Sequence, residues 1–279
     1  MPTNNSQKIV KYLRWENSQS LSQEEWLCKK LEISQKDLLQ LLWLGAIYLD
    51  KKRIYYLPDA PTGEVFKVFL NPRRFCHISF SKKNLIFEDD RWVIVDKPGG
   101  LPSLPIASNA LENALTLTEK MFQIKLYPLH RLDEPTQGLL MFTKSKDLVK
   151  IYHQARKEKQ IQKIYQVLTQ NLLPLGELTH FLSRGKGKMQ AHSEELPGSK
   201  KAVLKIINST KISEKIYLSE IQLMTGRTHQ IRCQLAHIQC PIIGDSLYGT
   251  TSSIDTQLKL LAQKIIWGDL AIETQISDI

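Results

Sequence analysis

Cysteine is sparse in this chain of 279 residues. Its four, Cys28, Cys76, Cys233 and Cys240, include no Cys-x-x-Cys pair, which argues against a zinc ribbon or a dithiol redox motif. So few cysteines over this length do not make a disulfide-stapled secreted domain, and a reducing, cytoplasmic setting is expected. Long apolar runs are missing too. Nothing approaches the roughly 18 consecutive apolar residues of a membrane helix. The opening Met1-Pro2-Thr3-Asn4-Asn5-Ser6 lacks the apolar core of a signal peptide. A soluble protein with no membrane partner is expected. Neither an internal repeat nor a low-complexity tract occurs.

Acidic residues fall short of basic ones, 28 Asp and Glu against 38 Lys and Arg, for a formal net charge of +10. An excess of this size fits a polyanionic partner, because Lys and Arg that neutralise phosphates drive sequence-independent nucleic-acid binding. Solubility alone is the other reading. An apolar content of 42% suffices for one large core with a small appended domain.

The first quarter of the chain reads differently from the rest. Glu24 to Leu44 is helix-like, with Leu31, Ile33, Leu38, Leu41 and Leu42 supplying apolar surface, and Gly45 breaks the pattern. Ala46 to Asp50 follows as a strand, Lys51-Lys52-Arg53 as a basic turn, Ile54 to Leu57 as a second strand, and Gly63 to Leu70 as a third. A helix and hairpin packed as a cap would read this way. So would an RNA-binding module, because the pattern resembles the αL-type domain known from ribosomal protein S-four. That domain is assigned to residues 1–75. Asn71 to Lys83 reads as a basic linker, and a main domain is assigned to 84–279. There, strands at Trp92 to Val95, Gly138 to Thr143, Lys163 to Thr169 and Ile216 to Leu223 mix with helices at Ala110 to Phe122 and Lys146 to Lys159. The lack of regular alternation predicts an α+β domain built on an extended sheet.

Three strings carry candidate chemistry. In His130-Arg131-Leu132-Asp133-Glu134-Pro135-Thr136-Gln137-Gly138 an acid sits in a loop just ahead of an apolar strand. Such loops present reactive groups on a rigid scaffold, though taken alone Asp133 reads as an ordinary turn acid. Thr225-Gly226-Arg227-Thr228-His229-Gln230-Ile231-Arg232 leads into a helix, with Thr228 a plausible N-cap and Ile231, Leu235 and Ile238 at helical spacing. Arg232 falls about 100° round from Ile231, at the edge of that stripe, where partial burial would demand a carboxylate partner. In Lys163-Ile164-Tyr165 the first and last side chains share one strand face. A tyrosine there packs a sheet or stacks on a nucleobase.

Taken together, the strings resemble the RluA-like family of RNA pseudouridine synthases. His130 to Leu140 matches His-Arg-Leu-Asp-x-x-Thr-Ser-Gly-Leu-Leu, with Gln137 in place of the Ser, and Lys163 with Tyr165 matches Lys-x-Tyr. Gly226 to Arg232 matches Gly-Arg-Thr-His-Gln-Ile-Arg, and Pro241 to Gly249 matches Pro-Ile-x-Gly-Asp-x-x-Tyr-Gly. Glu88 to Leu101 echoes the family's opening string, and Leu260-Leu261-Ala262 stands where the family has Leu-His-Ala. The resemblance implies an α+β catalytic domain with an extended mixed, mostly antiparallel sheet flanked by helices, and a catalytic set of Asp133 as nucleophile, Arg232 as its partner and Tyr165 stacking on the target base. It implies RNA contacts from His130, Arg131, Lys163 and Arg227, with Arg131 helping to fill the gap left by an everted uridine.

Isomerisation involves no redox change and no external energy, so neither a metal nor any other cofactor is expected. The partner would be ribosomal RNA or transfer RNA, and the protein a monomer. The runs Arg156 to Lys159 and Arg184 to Lys188 read as phosphate contacts or as solvated faces. The alternative reading is an inactive RNA-binding or ribosome-assembly protein. A hydrolase using Asp133 with Glu134 is disfavoured, since adjacent residues in an extended segment point apart. A metal site from His229, Cys233 and His237 lacks a completing ligand.

Overall fold

The computed structural model describes residues 10–16, 21–249 and 257–274. The chain forms two units, one of residues up to His77 with Leu104–Thr118, the other of Ile78–Ser103 with Glu119 onwards.

The first unit contains β1 (Val10–Arg14), α1 (Gln23–Leu31), α2 (Gln35–Trp43), β2 (Ile47–Leu49), β3 (Lys52–Ile54) and β4 (Val65–Phe69). The strands form an antiparallel sheet in the order β1-β4-β2-β3. The single helix expected over Glu24 to Leu44 is two. Glu32 turns left-handed at the end of α1, and Ser34 with Asp37 makes a second capping box that restarts the helix. The expected basic turn is also displaced. Asp50 and Lys51 both take positive φ, as a tight two-residue hairpin demands, which puts Lys52 and Arg53 into β3. Trp26, Leu38, Leu44, Ile47 and Phe66 form the core between the helices and the sheet.

Helix α3 spans Ala114–Phe122, beginning four residues later than the sequence suggested; the side-chain oxygen of Asn113 accepts from the Thr116 N–H at 3.0 Å at its start. The second unit is built on one extended sheet. Its strands are β5 (Leu85–Glu88), β6 (Trp92–Lys97), β7 (Tyr127–Pro128), β8 (Gln137–Thr143), β9 (Ile161–Thr169), β10 (Gly176–Arg184), β11 (Met189–His192), β12 (Lys200–Ser213), β13 (Ile216–Leu223), β14 (Leu260–Trp267) and β15 (Leu270–Glu273). The order is β11-β10-β12-β13-β9-β14-β8-β6-β5, with β7 on β8 and β15 on β14. Only β14 and β8 run parallel among these pairs, so the sheet is mixed and largely antiparallel. Helix α4 (Lys146–Lys157) lies beside β7 and β8, and α5 (Gln230–His237) beside β10 and β11.

Two features of this sheet position the candidate site. Strand β8 is buried along most of its length, with Leu139, Leu140, Met141 and Phe142 fully enclosed, so the loop ahead of it hangs from a rigid anchor. Gly138 has φ +104, and a Cβ there would collide with the backbone of Ala262. Only glycine lets β14 approach β8 this closely.

Candidate active site

The loop carrying Asp133 is clamped from both sides. On one side the Ser103 hydroxyl donates to the Leu132 carbonyl at 2.7 Å and accepts from the Leu132 N–H at 3.0 Å. On the other, the Glu134 carbonyl accepts from the Gly100 N–H at 2.8 Å and from the Lys97 ammonium at 3.0 Å. Lys97 is fully buried, and its ammonium also donates to the Pro98 and Leu101 carbonyls, each at 2.8 Å. Burial pushes it down to about 7, against the pull of Glu134, Asp133 and Asp96. Gly100, at φ +86, makes the turn that brings these groups together. The result is a fixed backbone at Leu132 and Glu134, with the Asp133 side chain projecting between them.

Arg232, on α5, stands between two carboxylates. Its Nε and one terminal nitrogen grip Asp245 at 2.8 and 2.7 Å, a bidentate fork. Its other terminal nitrogen lies 3.7 Å from Asp133 Oδ2. Asp245 is saturated, since its Oδ1 also accepts the Leu247 and Tyr248 N–H groups. Burial alone would raise the Asp245 carboxyl, but the fork and the amides prevail and hold it below its usual value. The Tyr248 ring sits 5.3 Å from the guanidinium carbon.

His229 completes the group. It is the N-cap of α5 in a left-handed conformation, which corrects the expected cap at Thr228. The reason is local: the Gln230 side-chain oxygen accepts from the Arg227 N–H and the Thr225 hydroxyl, which tightens the turn and leaves Thr228 exposed. The Tyr248 hydroxyl accepts the Met189 N–H at 2.9 Å and lies 3.0 Å from His229 Nδ1. His229 Nε2 faces Asp133 Oδ2 at 4.0 Å. Burial, with help from Arg232 and Arg131, outweighs the two carboxylates and lowers the His229 pKa, so the ring is neutral at pH 7. Among the described residues, the approaches of Arg232 and of the neutral His229 to Asp133 are both longer than a hydrogen bond, and its carboxylate keeps some exposure, 19%.

The other sequence-singled residues fall into two groups. Tyr165 is buried in β9, and burial, then Tyr152 and Asp133, raise its phenol above the ordinary range. It stays protonated throughout the neutral range. Lys163 lies two residues away with its ammonium 5.6 Å from the Tyr152 ring, pushed down to about 7 by burial and Arg156. His130 faces inward. Its Nε2 accepts from the Met141 N–H at 3.2 Å, its ring stacks on Tyr152, and burial holds its pKa well below the usual value. Arg131 and Arg227 are exposed, the latter donating to the Lys201 carbonyl at 3.1 Å. Arg232 thus stands beside Asp133, and Tyr165 lies within electrostatic reach of that carboxylate; Arg131 and Arg227 lie on the surface.

Sequence reasoning gave no role to Lys97, His229, Asp245 or Tyr248. Each lies in a string that had been recognised, but nothing linear shows that Arg232 reaches thirteen residues forward before it reaches Asp133. The expected stripe on α5 was also too narrow. Arg232, Cys233 and Gln234 are as buried as Ile231 and Leu235, while Ile238 is half-buried. Gln137, in place of the expected Ser, lays its side chain over Gly99, and Leu261, in place of the expected His, packs buried against Gly138.

Comparison with known proteins gives this arrangement its context. A family profile described as RNA pseudouridylate synthase matches residues 91–237. The chain is 26% identical over 214 residues to a chloroplastic RNA pseudouridine synthase 6 of Arabidopsis thaliana, covering 68% of this chain and 45% of that protein. It is 28% identical over 254 residues to the ribosomal large subunit pseudouridine synthase C of Buchnera aphidicola, covering 84% of this chain and 79% of that one. The chain therefore spans less than half the plant relative and most of the bacterial one. The solved structure of human RNA Pseudouridylate Synthase Domain Containing 4 superposes with a TM-score of 0.54 at 21% identity, over 70% of this chain and 88% of that one, and so shares the fold. With its mixed sheet, its few helices and a profile match over more than half its length, the chain belongs to the RluA-like family of RNA pseudouridine synthases.

Proposed function

We propose that this protein isomerises uridine to pseudouridine in structured RNA, with Asp133 as the nucleophile. Ribosomal RNA is the favoured substrate, as the name of the Buchnera relative suggests, and transfer RNA is the second candidate. One observation carries the reading: a partly exposed carboxylate on a clamped loop, 3.7 Å from an arginine that is itself locked by a second, saturated carboxylate.

The reaction breaks the bond between uracil N1 and the ribose anomeric carbon, turns the base, and joins carbon 5 to the ribose. N1 gains a proton and carbon 5 loses one, so the RNA keeps its mass. Asp133 acts at the ribose as the covalent or basic catalyst. Arg232 balances the negative charge beside it, and the Asp245 fork stops that guanidinium from collapsing onto the nucleophile. Tyr165, protonated at neutral pH, offers a ring for the base to stack on and a phenol that donates. It is not a proton acceptor in its resting form. The uridine has to leave its stack to reach the loop, at a cost of a few kcal/mol, and Arg131 stands exposed on the same loop to fill the space it leaves. The runs Arg156 to Lys159 and Arg184 to Lys188 would meet phosphates. The reading extends to a monomeric, cytoplasmic enzyme that needs no cofactor.

The test uses purified protein and ribosomal or transfer RNA tritiated at carbon 5 of uridine. Tritium passes to water while RNA mass stays constant, and Asp133→Asn abolishes the release while binding RNA as before. Free uracil in the products would mark a hydrolase. Binding without tritium release from any of these RNAs would mark an inactive RNA-binding protein.

A further inference from the structure

The solvent face of the four-stranded sheet in the first unit carries a row that the candidate active site does not use. By register, Tyr12 of β1 faces Lys67 of β4, Lys67 faces Tyr48 of β2, and Tyr48 faces Arg53 of β3. Aromatic and cation thus alternate across all four strands in one line. The contacts agree with the register. The Lys67 ammonium lies 5.6 Å from the Tyr12 ring centre, 5.9 Å from that of Tyr48 and 5.0 Å from that of Phe69, while the Arg53 guanidinium lies 5.0 Å over Tyr48.

The two ends of the row differ. Arg53 donates to the Gly45 and Ile106 carbonyls at 2.6 and 2.9 Å, and the Tyr48 hydroxyl donates to the Ala107 carbonyl at 3.0 Å. That end is fixed. At the other, Tyr12 is 65% exposed, an uncovered ring with a cation at its edge. Charge is segregated in the same direction. By strand alternation Arg14, Arg53 and Lys67 share the face of Tyr12, with no Asp or Glu among the strand residues, while Lys11 and Lys52 point to the other face; α1 and α2 set Glu24, Glu25 and Asp37 against Lys29, Lys30 and Lys36.

We infer that this sheet face binds a single-stranded segment of RNA, with a base stacked on Tyr12 and a neighbouring phosphate taken by Lys67. A ring with an exposed face suits any base, and a cation beside it suits the backbone that links successive bases. A packing role alone would not leave Tyr12 uncovered, and an acidic partner protein would need no exposed ring. The inference rests on the proposal that RNA is the substrate, but it concerns a different surface from the one that performs the chemistry. The helices of this unit, where the acids lie, are not the contact.

The test measures fluorescence anisotropy of a labelled oligouridylate with the full chain across a range of salt. Tyr12→Ala weakens binding at least about fivefold, and Tyr12→Phe restores it. Lys67→Gln lowers the slope of log affinity against log salt by about 0.7. Lys29→Gln with Lys36→Gln, which removes charge from the helices, changes affinity little. Because Tyr12 is on the surface, its loss does not endanger folding, and matched thermal melts check this. The inference is overturned if Tyr12→Ala binds like the wild type, if the helix variant weakens binding as much as the sheet variants do, or if an acidic peptide displaces the RNA at equal concentration. The tritium assay separates this from the proposed chemistry. Normal tritium release by a Tyr12→Ala protein with unchanged affinity sinks the surface alone. Loss of affinity in a protein whose wild type releases no tritium sinks the chemistry alone.

Discussion

Asp133 and Asp245 flank the same guanidinium, yet their surroundings could hardly differ more. Asp245 is buried, gripped twice by Arg232 and met by two backbone amides. Asp133 is partly open, with the Arg232 guanidinium at 3.7 Å and the neutral His229 ring at 4.0 Å. A carboxylate that already accepts four hydrogen bonds from its own protein is a structural part. One whose backbone is clamped but whose oxygens are only approached is available to a substrate. The arginine can serve the second because it is already held by the first.

That contrast can be broken at either acid. Asp245→Ala strands a buried guanidinium and should cost about 3–5 kcal/mol of unfolding free energy, read from urea melts. Asp133→Ala should change the same melts by only about 0.5 kcal/mol. Equal losses at the two positions would erase the distinction between them. Removing the clamp sharpens it. Lys97→Met leaves the Pro98 and Leu101 carbonyls without this donor and the Glu134 carbonyl with the Gly100 N–H alone, costing about 1–3 kcal/mol, and a displaced Asp133 loop should reduce kcat by up to about 10²-fold with KM little changed.

The same variant carries a pH signature. Lys97 sits at about 7 in the folded protein against an ordinary 10.5, so between those limits unfolding takes up a proton. The contribution of Lys97 to stability is therefore lowest below pH 7 and rises with pH up to about 10.5, by at most about 1.4 kcal/mol per unit. Melts of wild type and Lys97→Met at pH 7, 8 and 9 should diverge in that direction, and parallel curves would count against a buried, partly charged lysine. A smaller effect than that of Lys97→Met belongs to Tyr248→Phe. It removes the hydroxyl joining the Met189 N–H to His229 and should cost about 1 kcal/mol, with a modest fall in kcat as the imidazole loses its orientation.

How far the sequence reached varies along the chain for physical reasons. The extended sheet was legible in outline because β6 is dense in β-branched and aromatic residues and β8 and β13 in apolar ones, while the strand directions came with the family resemblance. Strands β10 and β12 were not read. In β10 the burial alternates with period two but polar His180 holds one of the buried positions, and in β12 the alternation from Ala202 to Ile206 lapses at the register shift before Asn208. In the first unit, Ser34 ended one helix and began another with a capping box four residues before Leu38, a signal that a continuous apolar stripe concealed. At the candidate site, Asp133, Arg232 and Tyr165 could be gathered because each lies in a recognisable string. Asp245 could not be ranked above Asp133 as the arginine's partner, since a bidentate fork is decided by where α5 points and not by spacing. Lys97 was hidden for a similar reason: its acceptors are backbone carbonyls, which every residue has.

The central claim is that Asp133 performs chemistry on uridine, and pseudouridine mapping of total RNA tests it most directly. RNA would be compared from cells lacking the gene, complemented with wild type or with Asp133→Asn. The account predicts that one or more modified uridines vanish with the gene, return with the wild type, and stay absent with Asp133→Asn. Restoration of those sites by Asp133→Asn would contradict it.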